Sequence, residues 1–188
     1  MTATSTFVSI CNLALTELGA ANPPITDLAD NTKTARACNR IYEQARDQAL
    51  RDHPWNFALK RIALAADTTT PLWTYANAFT WPTGALRIIE CDTTSAWVIE
   101  GQKILTDAGA PLNILYIDTI TDPTLFDAKF VEAYAAKIAA TIAFDITASR
   151  TSVADMVQLY QSRLQSARLI DAQESLTADE NTWLEARN

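Results

Sequence analysis

His53-Pro54-Trp55-Asn56-Phe57-Ala58 decides how this chain is divided. It holds the only histidine, a proline, and two large aromatics one residue apart. Proline removes a backbone donor and disfavours α geometry at the residue before it, so a helix arriving from the N-terminal side stops at His53. The residues before it read as helix and those after it begin to read as extended. As an extended pair, Trp55 and Phe57 point the same way. The stretch is a structural hinge made of His53, Pro54, Trp55 and Phe57. It is also the first place to look for catalysis.

Upstream, Phe7, Ile10, Cys11, Ala14 and Leu18 recur at helical spacing, with Gly19 placed to end the helix. Asn22-Pro23-Pro24 forces a loop, and Asp30 or Asn31 is suited to cap a second helix. The apolar face of that helix is Ala35, Cys38, Tyr42, Ala45 and Ala49, flanked by Ile41. Its polar face carries Arg36, Arg40, Glu43, Asp47 and Arg51. Downstream, Arg61–Ala65 alternates weakly. Leu86–Cys91, Trp97–Ile99, Lys103–Thr106 and Leu112–Tyr116 read as strands, and Gly101-Gln102 reads as a two-residue hairpin turn. Leu112, Ile114 and Tyr116 share one face.

Helix returns after Asp122-Pro123, a start signal. Phe130, Tyr134, Ile138 and Ile142 form a stripe surrounded by alanines, including Ala136, Ala139 and Ala140. A helix apolar on nearly all sides is buried from more than one direction, and a neighbouring subunit is one way to cover the second side. Ser152-Val153-Ala154-Asp155 resembles a capping box for a fourth helix. Its inner face is Val153, Val157, Tyr160, Leu164 and Ala167. The expected fold is α+β: an antiparallel bundle of about four helices with a small inserted antiparallel β-region. The divisions are a first helical half at 1–66, the β-insert at 67–120, a second helical half at 121–176 and a C-terminal tail at 177–188.

Composition narrows the function. The 188 residues suit one domain with an insertion, and 48 % are apolar, enough for a core. Four glycines leave little material for phosphate loops. The net charge of −7 argues against a nonspecific DNA binder. Residues 1–61 carry seven basic and six acidic side chains, whereas residues 62–188 carry eight and sixteen. Cys11, Cys38 and Cys91 are too few and too scattered for a disulfide framework. They read as small buried hydrophobes in a reducing compartment. The opening Met1-Thr2-Ala3-Thr4-Ser5 lacks the pattern of a secretory leader. No apolar run reaches the roughly 20 residues of a membrane span. A soluble product that engages no membrane is expected.

Chemistry has poor material. Zinc-ligand spacing, an Asp-x-Asp calcium loop and a glycine-flanked nucleophilic serine are all missing from the sequence. No metal, cofactor or catalytic residue is therefore expected. The expected role of His53 is at a helix end, donating to the last carbonyls and complementing the dipole. Two alternatives stay open. One is a small hydrolase using His53. The other is a small nucleic-acid-binding module using residues 33–61, which hold seven basic and three acidic side chains near Trp55 and Phe57. Trp183, near a polar terminus, suggests an interaction site.

Arg46-Asp47-x-x-Leu50-Arg51-x-His53-Pro54-Trp55-Asn56-Phe57-Ala58 resembles the head-to-tail adaptors of tailed phages, above all the tail tubular protein A group of short-tailed phages. Ile10-Cys11-Asn12-Leu13-Ala14-Leu15-x-x-Leu18-Gly19 is similar to that family's opening helix, and Ile99–Asp107 to its central hairpin. Tyr116-Ile117, Thr121-Asp122-Pro123 and Phe126-Asp127 resemble its return to helix. The resemblance implies a non-enzymatic virion protein of the head–tail junction, assembled in the host cytoplasm. It implies a ring of about twelve copies below the portal protein. The ring joins a tail nozzle or other tail protein and passes genomic DNA without sequence-specific binding. It places portal contacts on the tail (Asp179, Glu180, Trp183, Leu184 and Arg187). The corresponding candidates for the ring interface are Ala136, Ala139, Ala140, Arg36 and Arg40.

Overall fold

A computed structural model describes residues 6–175. Among them are four α-helices and two three-stranded antiparallel sheets, an α+β fold. The chain divides into two compact units. One, Ala58–Thr119, holds the sheets, and the other holds the four helices. The β-unit therefore begins earlier than the sequence suggests. The first boundary falls after Phe57 rather than after residue 66, because the weakly alternating Leu59–Leu64 is a full strand paired along its length to Leu112–Asp118.

In the helical unit, α1 spans Phe7–Glu17 and α2 spans Lys33–Arg51. Thr6 caps α1, with its hydroxyl accepting from Ser9 N at 3.1 Å while Ser9 Oγ accepts from Thr6 N at 2.8 Å. The cap of α2 is Thr32 rather than Asp30 or Asn31. Asp30 closes the preceding loop instead, accepting from the amides of Thr26 and Asp27. Asp122-Pro123 opens only a 3₁₀ turn at Pro123–Leu125. The long helix α3, Ala128–Thr147, starts later under an Asp127 cap. Similarly, α4 (Arg150–Ser175) begins under Ser149, whose Oγ accepts from Ser152 N at 3.2 Å, so Ser152 is inside the helix.

α3 packs against all three other helices. Phe130, Tyr134, Ile138 and Ile142 are buried, as are the alanines at 133, 135, 136, 139 and 143. The second covering layer expected from a neighbouring subunit is supplied by α1, α2 and α4 of the same chain. Tyr160, Leu164, Ala167 and Asp171 form the buried face of α4, while Val157 is exposed. The acid at the end of that apolar row bears on the site described below.

In the sheet unit, β1 is Leu59–Leu64, β2 Asn77–Thr80, β3 Ala85–Cys91, β4 Trp97–Glu100, β5 Lys103–Thr106 and β6 Leu112–Asp118. The sheet orders are β1-β6-β3 and β2-β5-β4. Gly101, at φ +60°, turns the β4–β5 hairpin, where Trp97 pairs with Thr106 and Glu100 with Lys103. Phe79, Ile88, Cys91, Ile104, Leu112, Ile114 and Tyr116 form the core of this unit. Gly84, at φ +83°, lies where an added Cβ would meet Asp118 Oδ1 at 2.9 Å.

Candidate functional site

The crossing out of α2 is a joint built by sequence-distant groups. Pro54 ends the helix, but the next residues do not extend: Asn56–Ala58 is a 3₁₀ turn, and the strand begins at Leu59. Trp55 and Phe57 are therefore not a parallel pair on one strand face. Trp55 is 1 % exposed, and its indole N–H donates to the Ala49 carbonyl at 3.0 Å. Ala49 is in the last turn of α2, so Trp55 performs the carbonyl capping expected of His53. Its ring meets Phe130 edge-on at 5.1 Å, and Phe57 meets Phe130 at the same distance. The aromatic run continues through Tyr134 to Tyr42, and Tyr134 Oη donates to the Tyr42 carbonyl at 2.7 Å.

His53 turns instead to α4, where its Nε2 donates to Asp171 Oδ2 at 2.9 Å. Asp171 Oδ1 accepts from the Asn56 backbone N–H at 3.0 Å, and the Asn56 side-chain amide donates to the Asp171 carbonyl at 2.8 Å. Three bonds thus fasten the crossing to one residue of α4. The two bonds to the Asp171 carboxylate are charge-assisted and of the stronger kind, and they satisfy a carboxylate that burial would otherwise penalise. A second tie lies one residue upstream of His53. Asp52 Oδ2 accepts from Tyr160 Oη at 2.5 Å and faces Lys137 Nζ at 3.4 Å, while Arg168 donates to the Asp52 carbonyl. Burial and the Asp52 carboxylate hold the Tyr160 phenol well above its ordinary range.

A His–Asp pair is also the orienting half of a nucleophilic triad. Among the described residues, no hydroxyl or thiol hydrogen-bonds His53, and no cluster of three His, Cys, Asp or Glu side chains is placed to hold a metal ion. All three cysteines are buried. The Cys38 thiol and burial push the Cys11 thiol well above its usual range, and burial raises Cys91 to about 11.

Of the basic residues of 33–61, one is in the core and two are paired with acids of distant segments. Arg46 is buried, with its guanidinium bonded to Asp47 Oδ1 at 2.8 Å. Arg36 donates to Asn31, Arg40 pairs with Asp145, and Lys60 pairs with Asp118 at 2.5 Å. Trp55 is in the core and offers no stacking face.

The ring-interface candidates separate. Ala136 and Ala139 are wholly buried inside their own chain and are unavailable to a neighbour, which corrects that expectation. Ala140 is half-buried beside a cavity of about 480 Å³ that Lys137, Tyr160 and Arg168 also line. Arg36 and Arg40 are exposed. Asp179, Glu180, Trp183, Leu184 and Arg187 lie outside the described residues. Asp171 was the residue that sequence reasoning missed. Its signal was an acid in phase with Tyr160, Leu164 and Ala167 on the inner face of a helix.

The other stretches that carry the family resemblance also do backbone work. Asn12 exchanges two hydrogen bonds with Ile25, both 2.9 Å, pinning the loop after α1. Asp107 accepts from Ala76 N at 2.9 Å, and Gln102 O accepts from Trp81 N at 2.8 Å. No described helix is long and apolar enough to cross a membrane. No protein-family model matches the chain, and comparison with curated proteins gives no match.

Proposed function

We propose that this chain is a structural head-to-tail adaptor of a tailed bacteriophage. Copies form a ring beneath the portal protein, attach a nozzle or other tail protein, and continue the DNA channel. The observation that carries this reading is the use to which the resemblance motif is put. Arg46 and Asp47 pair, Trp55 caps α2, and His53 and Asn56 are both tied to Asp171. The motif is thereby accounted for as a joint in a scaffold, with its only imidazole engaged in holding two helices together. Residues 62–188 carry the acidic excess, and a channel wall that repels phosphate does not retain a passing duplex. The segment after Glu174 supplies the portal contact in this reading.

Light scattering of the purified chain mixed with the purified portal of the same virion tests the proposal. The expected result is a portal complex heavier by many copies of the chain. His53→Gln separates the hydrolase alternative. The adaptor reading expects a loss of stability or assembly, whereas a hydrolase loses an activity while its fold stays intact.

A further inference from the structure

Across the β2-β5-β4 sheet, Ala78 pairs with Leu105 and Leu105 with Val98, so these three side chains share one face. Their chain neighbours Phe79 and Ile104 are on the opposite face, in the core of the unit. The outer face is not bare. Residues 69–75 of the β1–β2 loop lie beside it, and loop and sheet together line a cavity of about 650 Å³. The loop wall carries Trp73 and Tyr75. Trp73 is 81 % exposed, so its indole is not used in core packing. The base of the loop is fixed: Asp67 N donates to Ala78 O at 2.8 Å, Asp67 Oδ1 accepts from Thr80, and Ala76 N donates to Asp107. Thr74 has φ +71° and Tyr75 N donates to Trp73 O at 2.9 Å, a three-residue γ-turn. An aromatic plate is thus held in water on a defined backbone, which lowers the ordering cost of binding.

The polar groups of the same cavity are hydroxyls and one carboxylate. Thr69, Thr70, Thr74 and Glu100 all line it, and none of their side chains has a hydrogen-bond partner among the described residues. Charge is balanced there. Glu100 and Lys103 are the two charged residues of the lining, they are cross-strand neighbours, and Lys103 is engaged by Asp67 at 2.9 Å.

We propose that this cavity binds a neutral saccharide. A pyranose ring has one face of C–H groups and a rim of hydroxyls. Its C–H face matches an exposed indole, and its rim matches threonine hydroxyls that both donate and accept. A carboxylate accepts from two adjacent sugar hydroxyls at once, which is the role of Glu100. An acidic ligand finds no unengaged cation in the lining, since Lys103 already holds Asp67. A quaternary ammonium ion would sit beside that same ammonium group. A proline-rich peptide also docks on aromatic surface, but it offers few donors to the carboxylate and the three hydroxyls, because proline has no N–H. This site is independent of the adaptor reading, and its failure leaves that reading untouched.

Saturation-transfer difference NMR on the full-length chain tests it, with maltohexaose, cellohexaose and N-acetylchitohexaose as probes. The expected result is saturable transfer to the C–H protons of at least one of the three, in the millimolar range and unchanged by added NaCl, as fits an uncharged ligand. Trp73→Ala should weaken that binding at least about tenfold, and Trp73→Phe, which keeps an aromatic plate, should retain most of it. Glu100→Gln should weaken it about fivefold. Circular dichroism and thermal melts of the three variants should match wild type, because both side chains are exposed. No transfer to any of the three sugars, or binding that Trp73→Ala leaves unchanged, overturns the proposal. Tighter binding of choline or of a proline-rich peptide than of all three sugars, lost in Trp73→Ala, overturns it as well.

Discussion

Trp55 and Trp73 belong to the same chain and face opposite environments. In the helical unit Trp55 is enclosed, with its N–H satisfied by Ala49 and its ring set against Phe130. In the sheet unit Trp73 stands in solvent beside Leu72 on a fixed loop. The helical unit also shows single exposed apolar residues, such as Leu125, Phe144 and Leu169. Scattered residues of that kind are ordinary on a protein surface, whereas an adjacent pair raised on a strained turn is not. The difference separates two uses of aromatic surface. One fastens helices together, and the other is left in solvent.

The sharpest way to break this contrast is to remove the two indoles in turn. Trp55→Ala should cost about 3–5 kcal/mol of unfolding free energy in a denaturant titration. Trp73→Ala should stay within about 0.5 kcal/mol of wild type, as expected for a surface side chain. Equal losses would mean that the two tryptophans have the same role. Asp171→Ala comes next, at about 2–3 kcal/mol, because it strands the His53 and Asn56 donors at the joint. If stability does not change, the three bonds do not fasten the crossing to α4.

Within the sheet unit, Gly84→Ala should cost about 1–3 kcal/mol. The new Cβ is forced into a positive-φ position and onto the carboxylate that Lys60 holds. Denaturant titration or thermal melts of the variant check this value, and a neutral result would show that the β3 entry relaxes freely. The smallest effect concerns Asp67. The Lys103 ammonium and the Thr80 hydroxyl keep its carboxyl below the usual carboxylate range. A depressed folded-state pKa contributes stability at pH above the ordinary carboxylate value, and that contribution disappears as pH falls through the folded value. Asp67→Asn should therefore lower stability slightly at neutral pH, leave it near wild type at pH below the folded-state value, and so flatten the acid limb of the stability profile.

Much of this fold was legible in the sequence where pattern and burial coincide. The faces of α1 and α2, the Phe130–Ile142 stripe and the Gly101 hairpin all follow periodicities that packing then enforces. β2 was not legible, because Asn77–Thr80 is only four residues with no clear alternation, and its pairing with β5 defines it. β1 was weak for a related reason. An edge strand with both faces in water has no apolar alternation to show. Helix starts were misplaced by a few residues at α2, α3 and α4, where several Asp, Ser and Thr side chains compete to cap.

At the joint, the sequence identified His53, Pro54, Trp55 and Phe57 but exchanged two roles. Capping depends on which side chain reaches back over the last turn, and here Trp55 reaches the Ala49 carbonyl while His53 bonds to Asp171. That partner is 118 residues away, beyond the reach of any local spacing. Ala136 and Ala139 were expected at a subunit contact because an all-apolar helix needs two covers. Sequence cannot distinguish a cover from the same chain from one supplied by another copy.

Electron microscopy of connectors isolated from the virion tests the central claim most directly. The account predicts a closed ring of this chain seated on the portal and lining the DNA channel. Connectors in which this chain is missing, or is bound as isolated copies away from the channel, would contradict it.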